Sequence, residues 1–137
     1  MVRVEVIRKR LNKLDECLSI LYGLQEYPFE EFIRDPEHYG SAERFLQLGI
    51  EAITDIGSHV IADLALGTVN WYSDIPTILA EKGYISADLR EKWIRMIGFR
   101  NTLVHEYIDI DRTIVYEVLQ HHLVDLEALK QAFAQFL

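Results

Sequence analysis

The chain has 137 residues, half of them hydrophobic, and this length suits a single domain, residues 1–137, whose core needs no metal or disulfide for stability. A formal net charge of −8 disfavours a protein that coats nucleic acid through a broadly basic surface, so any contact with nucleic acid must be local. No apolar run approaches the roughly 20 residues of a membrane span, and the N-terminus lacks the apolar block of a signal peptide, so we expect a soluble, cytoplasmic protein with no membrane partner.

The first predicted helix carries apolar residues at alternating spacings of three and four, the pattern of a helix that buries one face. These residues are Val4, Ile7, Leu11, Leu14, Leu18 and Leu21. The helix should end before Tyr27 and Pro28. Cys17 lies inside this pattern and is the only cysteine, so it is interpreted as a small buried apolar residue and not as a reactive thiol.

A second long helix is predicted after the short segment PFEEFIRDPEHYG, which is either a short helix or irregular. Ser41 is the expected N-cap of this helix. Its apolar face carries Leu46, Ile50, Ile53, Val60 and Leu64. Gly49 and Gly57 inside the helix indicate that a neighbouring helix approaches closely, although glycine at these positions also lowers the intrinsic helix propensity.

Turn-forming residues in LGTVNWYSDIP precede a short helix that begins near Pro76 and that Gly83 should end. Ser86 is the expected cap of a further long helix, whose apolar face continues through polar positions. That face carries Leu89, Trp93, Met96, Arg100, Leu103 and Tyr107.

After the sequence IDID, a last helix is predicted from Asp111 or Thr113 to the C-terminus. Its apolar face carries Val115, Leu119, His122, Leu126, Leu129, Phe133 and Phe136. His122 on this face is interpreted as a hydrogen-bonded core residue. No strand or repeat is evident, and the prediction is an all-α fold: an antiparallel bundle of four long helices with one or two short ones.

Arg100 is the unusual residue of this pattern, because a guanidinium on a core-facing stripe stays charged and must be paired or reach water. Two interpretations are open. Arg100 either forms a salt bridge with Glu51 or Asp55 on the second long helix, or lies in a cleft and binds an anionic substrate, since arginine suits both carboxylate and phosphate.

His105 follows Arg100 by five residues, and about 100° of rotation per residue turns it well away from Arg100 on a continuous helix. Tyr107 would return nearly beneath Arg100. All three side chains converge only if the helix ends between Val104 and Ile108 or if they meet across a subunit interface. Histidine near arginine suits phosphodiester cleavage without a metal, because imidazole transfers protons near neutral pH while guanidinium stabilises phosphate charge.

Positive charge is concentrated in two segments, which differ in the interpretation that we favour. Arg3, Arg8, Lys9, Arg10 and Lys13 lie near the start, and Arg90, Lys92, Arg95 and Arg100 lie before the polar cluster. A solvated helix face is the ordinary explanation for both, and we favour it for the first segment. No pair of residues has the spacing of a zinc site, and no cofactor motif is present, so neither a metal nor a cofactor is expected.

The segment MIGFRNTLVHEYIDID resembles the motif of HepT, the toxin of the HEPN and minimal-nucleotidyltransferase class of toxin–antitoxin pairs: an arginine, four residues, a histidine, one residue and a tyrosine. LGIEAITDIGSHVIAD, ILAEKGYISADLREKW and VYEVLQHHLVDLEAL are also similar to that family, so the resemblance covers most of the chain. It implies a HEPN-like helical domain.

The resemblance further implies a toxin that cleaves RNA without a metal, as a homodimer whose two motifs line one cleft. Arg100 would bind the scissile phosphate and His105 would transfer a proton during attack by the ribose 2′-hydroxyl. Asn101 would support the local geometry. Tyr107 matches the tyrosine to which a partner nucleotidyltransferase antitoxin (MntA-like) adds AMP, which inhibits the toxin.

RNA contacts in such a toxin are expected at Arg95 and Arg100, with Lys92 and Arg112 as further candidates. Glu51 and Asp55 are candidates for orienting Arg100 or His105, with a helix surface or a bundle salt bridge as the alternative. The competing function is a noncatalytic HEPN-like module that binds a nucleotide or a subunit. A third interpretation treats the polar cluster as a buried network in a dimer.

Overall fold

The computed structural model describes all 137 residues and contains seven helices and no strand. The helices are α1 Val4–Leu24, α2 Phe29–Arg34, α3 Pro36–Asp63, α4 Asp74–Glu81, α5 Ala87–His105, α6 Arg112–His121 and α7 Leu123–Ala134. The predicted all-α bundle is confirmed. No helix is both long and apolar enough to cross a membrane.

The core is one cluster of buried apolar residues that takes members from all seven helices. α3 lies at its centre and packs against each of the other six helices. Arg3 joins the start of α1 to the end of α3, because its guanidinium and the Asp63 carboxylate lie 3.0 Å apart. This contact holds the pKa of Asp63 below its usual range, and it is the arrangement expected of antiparallel neighbours.

Local sequence explains most of the helix boundaries. The Ser86 hydroxyl accepts a hydrogen bond from the Leu89 N–H at 3.1 Å and caps α5 as predicted. Gly83 has a φ of +82°, a left-handed conformation that glycine adopts without strain, and it follows the end of α4. Cys17 is fully buried, and this burial raises the pKa of its thiol, in agreement with a structural role.

The predicted start of the second long helix is wrong. Asp35, not Ser41, is the N-cap: its carboxylate accepts a hydrogen bond from the Glu37 N–H at 2.9 Å, and Pro36 occupies the first position. Proline is favoured at the first helical position because its fixed φ suits a helix. Its lack of an N–H costs nothing there, since an N–H at that position has no partner within the helix. α3 therefore runs through Gly40 and Ser41 without interruption.

The predicted last helix is two helices, because the chain bends at His122 between α6 and α7. His122 is not a core residue: its side chain is half exposed. It is hydrogen-bonded, since its Nδ1 lies 2.9 Å from the carboxylate of Asp125, which is buried. His122 thus gives the buried carboxylate a partner, which a buried charge requires.

Gly57 is the point of closest approach in the bundle. A Cβ atom at this position would lie 2.5 Å from Ile75 Cγ2 and 2.8 Å from Trp93 Cη2, so only glycine fits. Trp93 is fully buried and donates its indole N–H to Thr54 Oγ1 at 3.1 Å. At Gly49 a Cβ would meet its nearest neighbour at 3.5 Å, an ordinary contact, so the predicted close approach is found at one of the two glycines.

We expect Gly57→Ala to lower the free energy of unfolding by about 1–3 kcal/mol, because the added methyl overlaps two buried side chains that have no room to move. Gly40→Ala in the same helix is the control, since a Cβ there meets nothing within 4 Å. It should raise stability by up to about 1 kcal/mol through helix propensity. Urea unfolding followed by circular dichroism measures both, and equal stabilities would contradict the packing assignment.

Candidate active site

A cleft of about 840 Å³ opens between α1, α3, α5 and the segment that joins α3 to α4. Its charged lining residues are Lys9, Arg10, Lys13 and Glu16 on α1, Glu51 and Asp55 on α3, and Arg100 on α5. Apolar side chains such as Ile50 and Ile97 form part of its wall. The stripe on which Arg100 lies therefore opens into a polar cleft at this residue.

Arg100 is held by Glu51. Its Nη2 and Nε donate to Glu51 Oε1 at 2.8 and 3.0 Å, and its Nη1 donates to Asn101 Oδ1 at 3.1 Å. The side chains of Arg100 and Glu51 are 17% and 35% exposed, so the ion pair is partly shielded from water. Gln47 also donates to Glu51 Oε1, at 3.0 Å. Three hydrogen bonds thus fix the guanidinium at the edge of the cleft. The sequence allowed either Glu51 or Asp55 as the partner of Arg100, and the structure shows that it is Glu51.

Asp55 lies one turn beyond Glu51 but contacts neither Arg100 nor His105. Its carboxylate bonds the guanidinium of Arg10 on α1 and lies 3.8 Å from His59 Nε2. The two carboxylates therefore serve different arginines, because α1 and α5 pack on α3 from different sides. The predicted role of Asp55 in orienting the motif has no direct contact to support it.

His105 is the last residue of α5, and its side chain is exposed with no hydrogen bond or ion pair. The helix remains intact up to this point, so about 100° per residue places His105 roughly 140° around the axis from Arg100. Within one chain the arginine faces the cleft while the histidine does not line it.

Tyr107 lies beyond the end of α5 and is 71% exposed. The expectation that it shares a helix face with Arg100 is wrong, because the chain leaves the helical conformation at Glu106. The aromatic ring near Arg100 is instead Tyr72, whose centroid lies 5.5 Å from the guanidinium carbon. No sequence pattern indicated Tyr72, which precedes α4 in a segment of turn-forming residues.

The basic residues are arranged differently from the expectation. Arg95 is exposed and has no ion-pair partner, but it does not line the cleft. Lys92 bonds Asp88 at 2.8 Å, which raises the pKa of the lysine, and Arg112 lies 3.9 Å over the ring of Tyr39. Both are thus engaged with neighbours on the protein.

The N-terminal basic segment, for which we favoured a solvated face, instead contributes to the cleft. Lys9, Arg10 and Lys13 are among the lining residues. The structure contains no group of three or more histidine, cysteine, aspartate or glutamate side chains placed to hold a metal ion.

Residues 7–133 match the family model described as ribonuclease HepT-like. This chain belongs to the HepT-like ribonuclease family. Among its relatives, the mRNA nuclease HepT of Shewanella oneidensis is 38% identical over 82 residues, which are 60% of this chain and 62% of that protein. The tRNA nuclease HepT of Aphanizomenon flos-aquae is 27% identical over 86% of this chain and 80% of its own length.

Solved structures of toxin–antitoxin complexes have the same fold. One complex with AMP-PNP contains a chain with a TM-score of 0.89 and 27% identity, covering 96% of this chain and 98% of the other. The tri-AMPylated HEPN toxin of Shewanella oneidensis, in complex with an MNT antitoxin, gives a TM-score of 0.88 and 28% identity, covering 95% and 97%. The predicted HepT family, the HEPN-like fold and the function of a toxin with ribonuclease activity are confirmed, and the noncatalytic module is not favoured.

We expect Glu51→Gln to lower kcat for RNA cleavage by about tenfold, because a neutral amide holds the guanidinium less firmly than a carboxylate. The control is Asp55→Asn, which removes a similar charge from the same helix but does not touch Arg100 and should leave kcat unchanged. Cleavage rates of both variants, with folding checked by circular dichroism, make the comparison. Equal kcat values for Glu51→Gln and wild type would remove Glu51 from the mechanism.

Proposed function

We propose that residues 1–137 form one HEPN-like domain that acts as a homodimeric, metal-independent endoribonuclease, in which Arg100 and His105 are the catalytic pair. The observation that carries this proposal is the placement of the pair on α5: a fixed guanidinium in a cleft, and a free imidazole at the exposed end of the same helix. The names of the relatives, an mRNA nuclease and a tRNA nuclease, support RNA as the substrate. Such a substrate would be met in the cytoplasm.

Arg100 binds the scissile phosphate and stabilises the charge that builds up on its oxygens during the reaction. Glu51 occupies the Nε and Nη2 edge of the guanidinium and Asn101 bonds Nη1, so one N–H group on Nη1 and one on Nη2 are left for the phosphate. This arrangement limits the number of orientations that the guanidinium samples, and it keeps a partly buried positive charge paired while RNA is absent.

His105 transfers the proton. Its imidazole takes the proton from the ribose 2′-hydroxyl, the oxygen attacks phosphorus, and the bond to the 5′-oxygen of the next nucleotide breaks. The leaving 5′-oxygen takes a proton from water, the imidazolium of His105 returns its proton to solvent, and the other product keeps a 2′,3′-cyclic phosphate. No hydrogen bond fixes the His105 ring, so both of its nitrogens are free for this exchange.

A homodimer solves the geometric problem that the single chain presents. Arg100 and His105 point about 140° apart around α5, and within one chain only Arg100 lines the cleft. In a twofold dimer each copy can supply His105 to the Arg100 of the other, because the same two surfaces meet in reciprocal fashion. We therefore place the reacting phosphate between the two copies.

Tyr107 is the proposed site of AMP transfer by a nucleotidyltransferase antitoxin. Its phenol is exposed and follows His105 by two residues, so a transferase can reach it. AMP attached there places a phosphate and a nucleoside beside His105. Where His105 meets the Arg100 of the second copy, this phosphate competes with RNA for the guanidinium.

We expect Arg100→Ala and His105→Ala each to lower RNA cleavage by at least about a hundredfold in the presence of EDTA, since each removes a group that acts on the reacting atoms. Purified proteins are incubated with RNA, and products are separated by gel electrophoresis. Arg34→Ala is the control, because Arg34 is an exposed arginine on α2 that pairs with Glu30 and does not line the cleft. Full cleavage by either catalytic variant would overturn the assignment.

Equal amounts of Arg100→Ala and His105→Ala, co-expressed, also test the exchange between copies. Half of the dimers carry one of each variant, and in these one site keeps both groups, so activity should return to about a quarter of wild type. Failure to recover activity would mean that the two groups act from the same chain.

We expect Tyr107→Phe to cleave RNA at the wild-type rate and to resist inhibition by the antitoxin, because phenylalanine keeps the ring but has no oxygen to accept AMP. Tyr72→Phe is the matched control, since Tyr72 is also more than half exposed and should leave the modification intact. Mass spectrometry after incubation with antitoxin and ATP measures the added AMP. Modification of Tyr107→Phe at the wild-type level would place the site elsewhere.

A further inference from the structure

Beyond the catalytic pair, we propose that the cleft between α1, α3 and α5 binds the single-stranded RNA next to the scissile phosphate. Tyr72 stacks on a base, and Lys9 and Lys13 bind the phosphates that follow. This inference rests on the proposed ribonuclease function, and it assigns substrate binding to residues outside the arginine, histidine and tyrosine motif.

Tyr72 has the properties of a base-stacking side chain. It lines the same cleft as Arg100, its ring centroid lies 5.5 Å from the guanidinium carbon, and 55% of the residue is exposed. The guanidinium lies over one face of the ring, and more than half of the residue remains accessible. A base attached to the phosphate at Arg100 would therefore find an aromatic face within one nucleotide, and such faces stack on any base.

α1 contributes positive charge to the opposite side of the cleft. Lys9 and Lys13 are one helical turn apart and so share a face. Lys9 has no ion-pair partner in the structure, and the contact of Lys13 with Glu16 is long, at 3.5 Å, between two exposed side chains. Surface pairs of this kind are weak, so both ammonium groups are available to phosphate.

Arg10 belongs to the same surface but is more firmly held, by Asp55. The cleft is therefore lined by four positive side chains and three carboxylates. The positive residues are Lys9, Arg10, Lys13 and Arg100, and the acidic ones are Glu16, Glu51 and Asp55. This local surplus lies on a chain whose formal net charge is −8. The cleft is thus a place where an anionic strand meets positive charge without a generally basic surface.

The size of the cleft favours a single strand. Its volume of about 840 Å³ lies in the range of small-ligand pockets, about 300–1,000 Å³, which admits a short stretch of nucleotides but no duplex. Stacking on Tyr72 also requires an unpaired base, since bases inside a helix are already stacked on each other. The structure therefore favours loops and free ends of RNA as the cleaved regions.

Binding to the His105→Ala variant, which cannot cut, tests the stacking residue. The probe is a fluorescein-labelled eight-nucleotide adenylate strand, followed by fluorescence anisotropy. Tyr72→Ala in this background should weaken binding by roughly five- to a hundredfold, as for loss of one stacked base. Trp71→Ala is the control, because Trp71 is the exposed aromatic neighbour outside the cleft, and it should change binding less than about twofold.

The lysines are tested by salt dependence. Lys9→Ala and Lys13→Ala together should reduce the slope of log affinity against log salt by about 1.4, or about 0.7 for each phosphate contact to a single strand. Arg8→Ala is the control, since Arg8 lies on the same helix but outside the cleft and should leave the slope unchanged. Wild-type affinity and slope in both the tyrosine and the lysine variants would overturn the proposal.

Two further outcomes separate this inference from others. If Tyr72→Ala weakens association of the two copies in analytical ultracentrifugation and leaves RNA affinity unchanged, the cleft is an interface between copies and the inference is wrong. If a wild-type protein binds the strand through the cleft but cuts no RNA, the proposed ribonuclease function fails while the binding site stands. If a hairpin duplex bound as tightly as the single strand, the proposed preference of the cleft for single-stranded RNA would be wrong.

Discussion

Trp93 is fully buried between α5 and α3, and its two contacts with α3 set the rotation of α5. Its indole N–H is committed to Thr54, and its ring fills the volume that Gly57 leaves open on α3. Arg100 lies on the same face of α5, two turns after Trp93, and bonds Glu51. Glu51 lies one turn before Thr54 on α3, which runs antiparallel to α5. The packing of one tryptophan against one glycine therefore determines where the guanidinium lies, and with it one edge of the cleft.

The main elements of the fold were predictable because they depend on local patterns. Apolar spacing defined α1 and α5, and Ser86 and Gly83 marked boundaries that need only neighbouring residues to form. The start of α3 was missed because the segment PFEEFIRDPEHYG was interpreted as a short helix or irregular piece, although an aspartate followed by proline, as at Asp35, favours a helix start. The bend at His122 was missed because the apolar spacing continues through it and no glycine or proline marks it in the sequence.

Some residues of the candidate site could be predicted from local sequence, and others could not. The motif around Arg100 and His105 is a local sequence feature, and Glu51 was among the candidates because a charged residue facing a helix bundle needs a partner. Choosing Glu51 over Asp55 required the positions of α1 and α5 on α3, which spacing within one helix does not contain. Tyr72 and the lysines of α1 are far apart in sequence and become neighbours only through the packing of whole helices, so no pattern along the chain could group them.

The position of His105 at the end of α5 affects how the toxicity of the protein depends on its concentration. On the proposed arrangement a lone copy carries every chemical group and yet has no complete site, so it is harmless until it meets another copy. At concentrations below the dimer dissociation constant, the number of active sites grows with the square of the amount of protein. Leaky synthesis of a few chains would do little damage, whereas a modest rise in their number would produce a disproportionate loss of RNA.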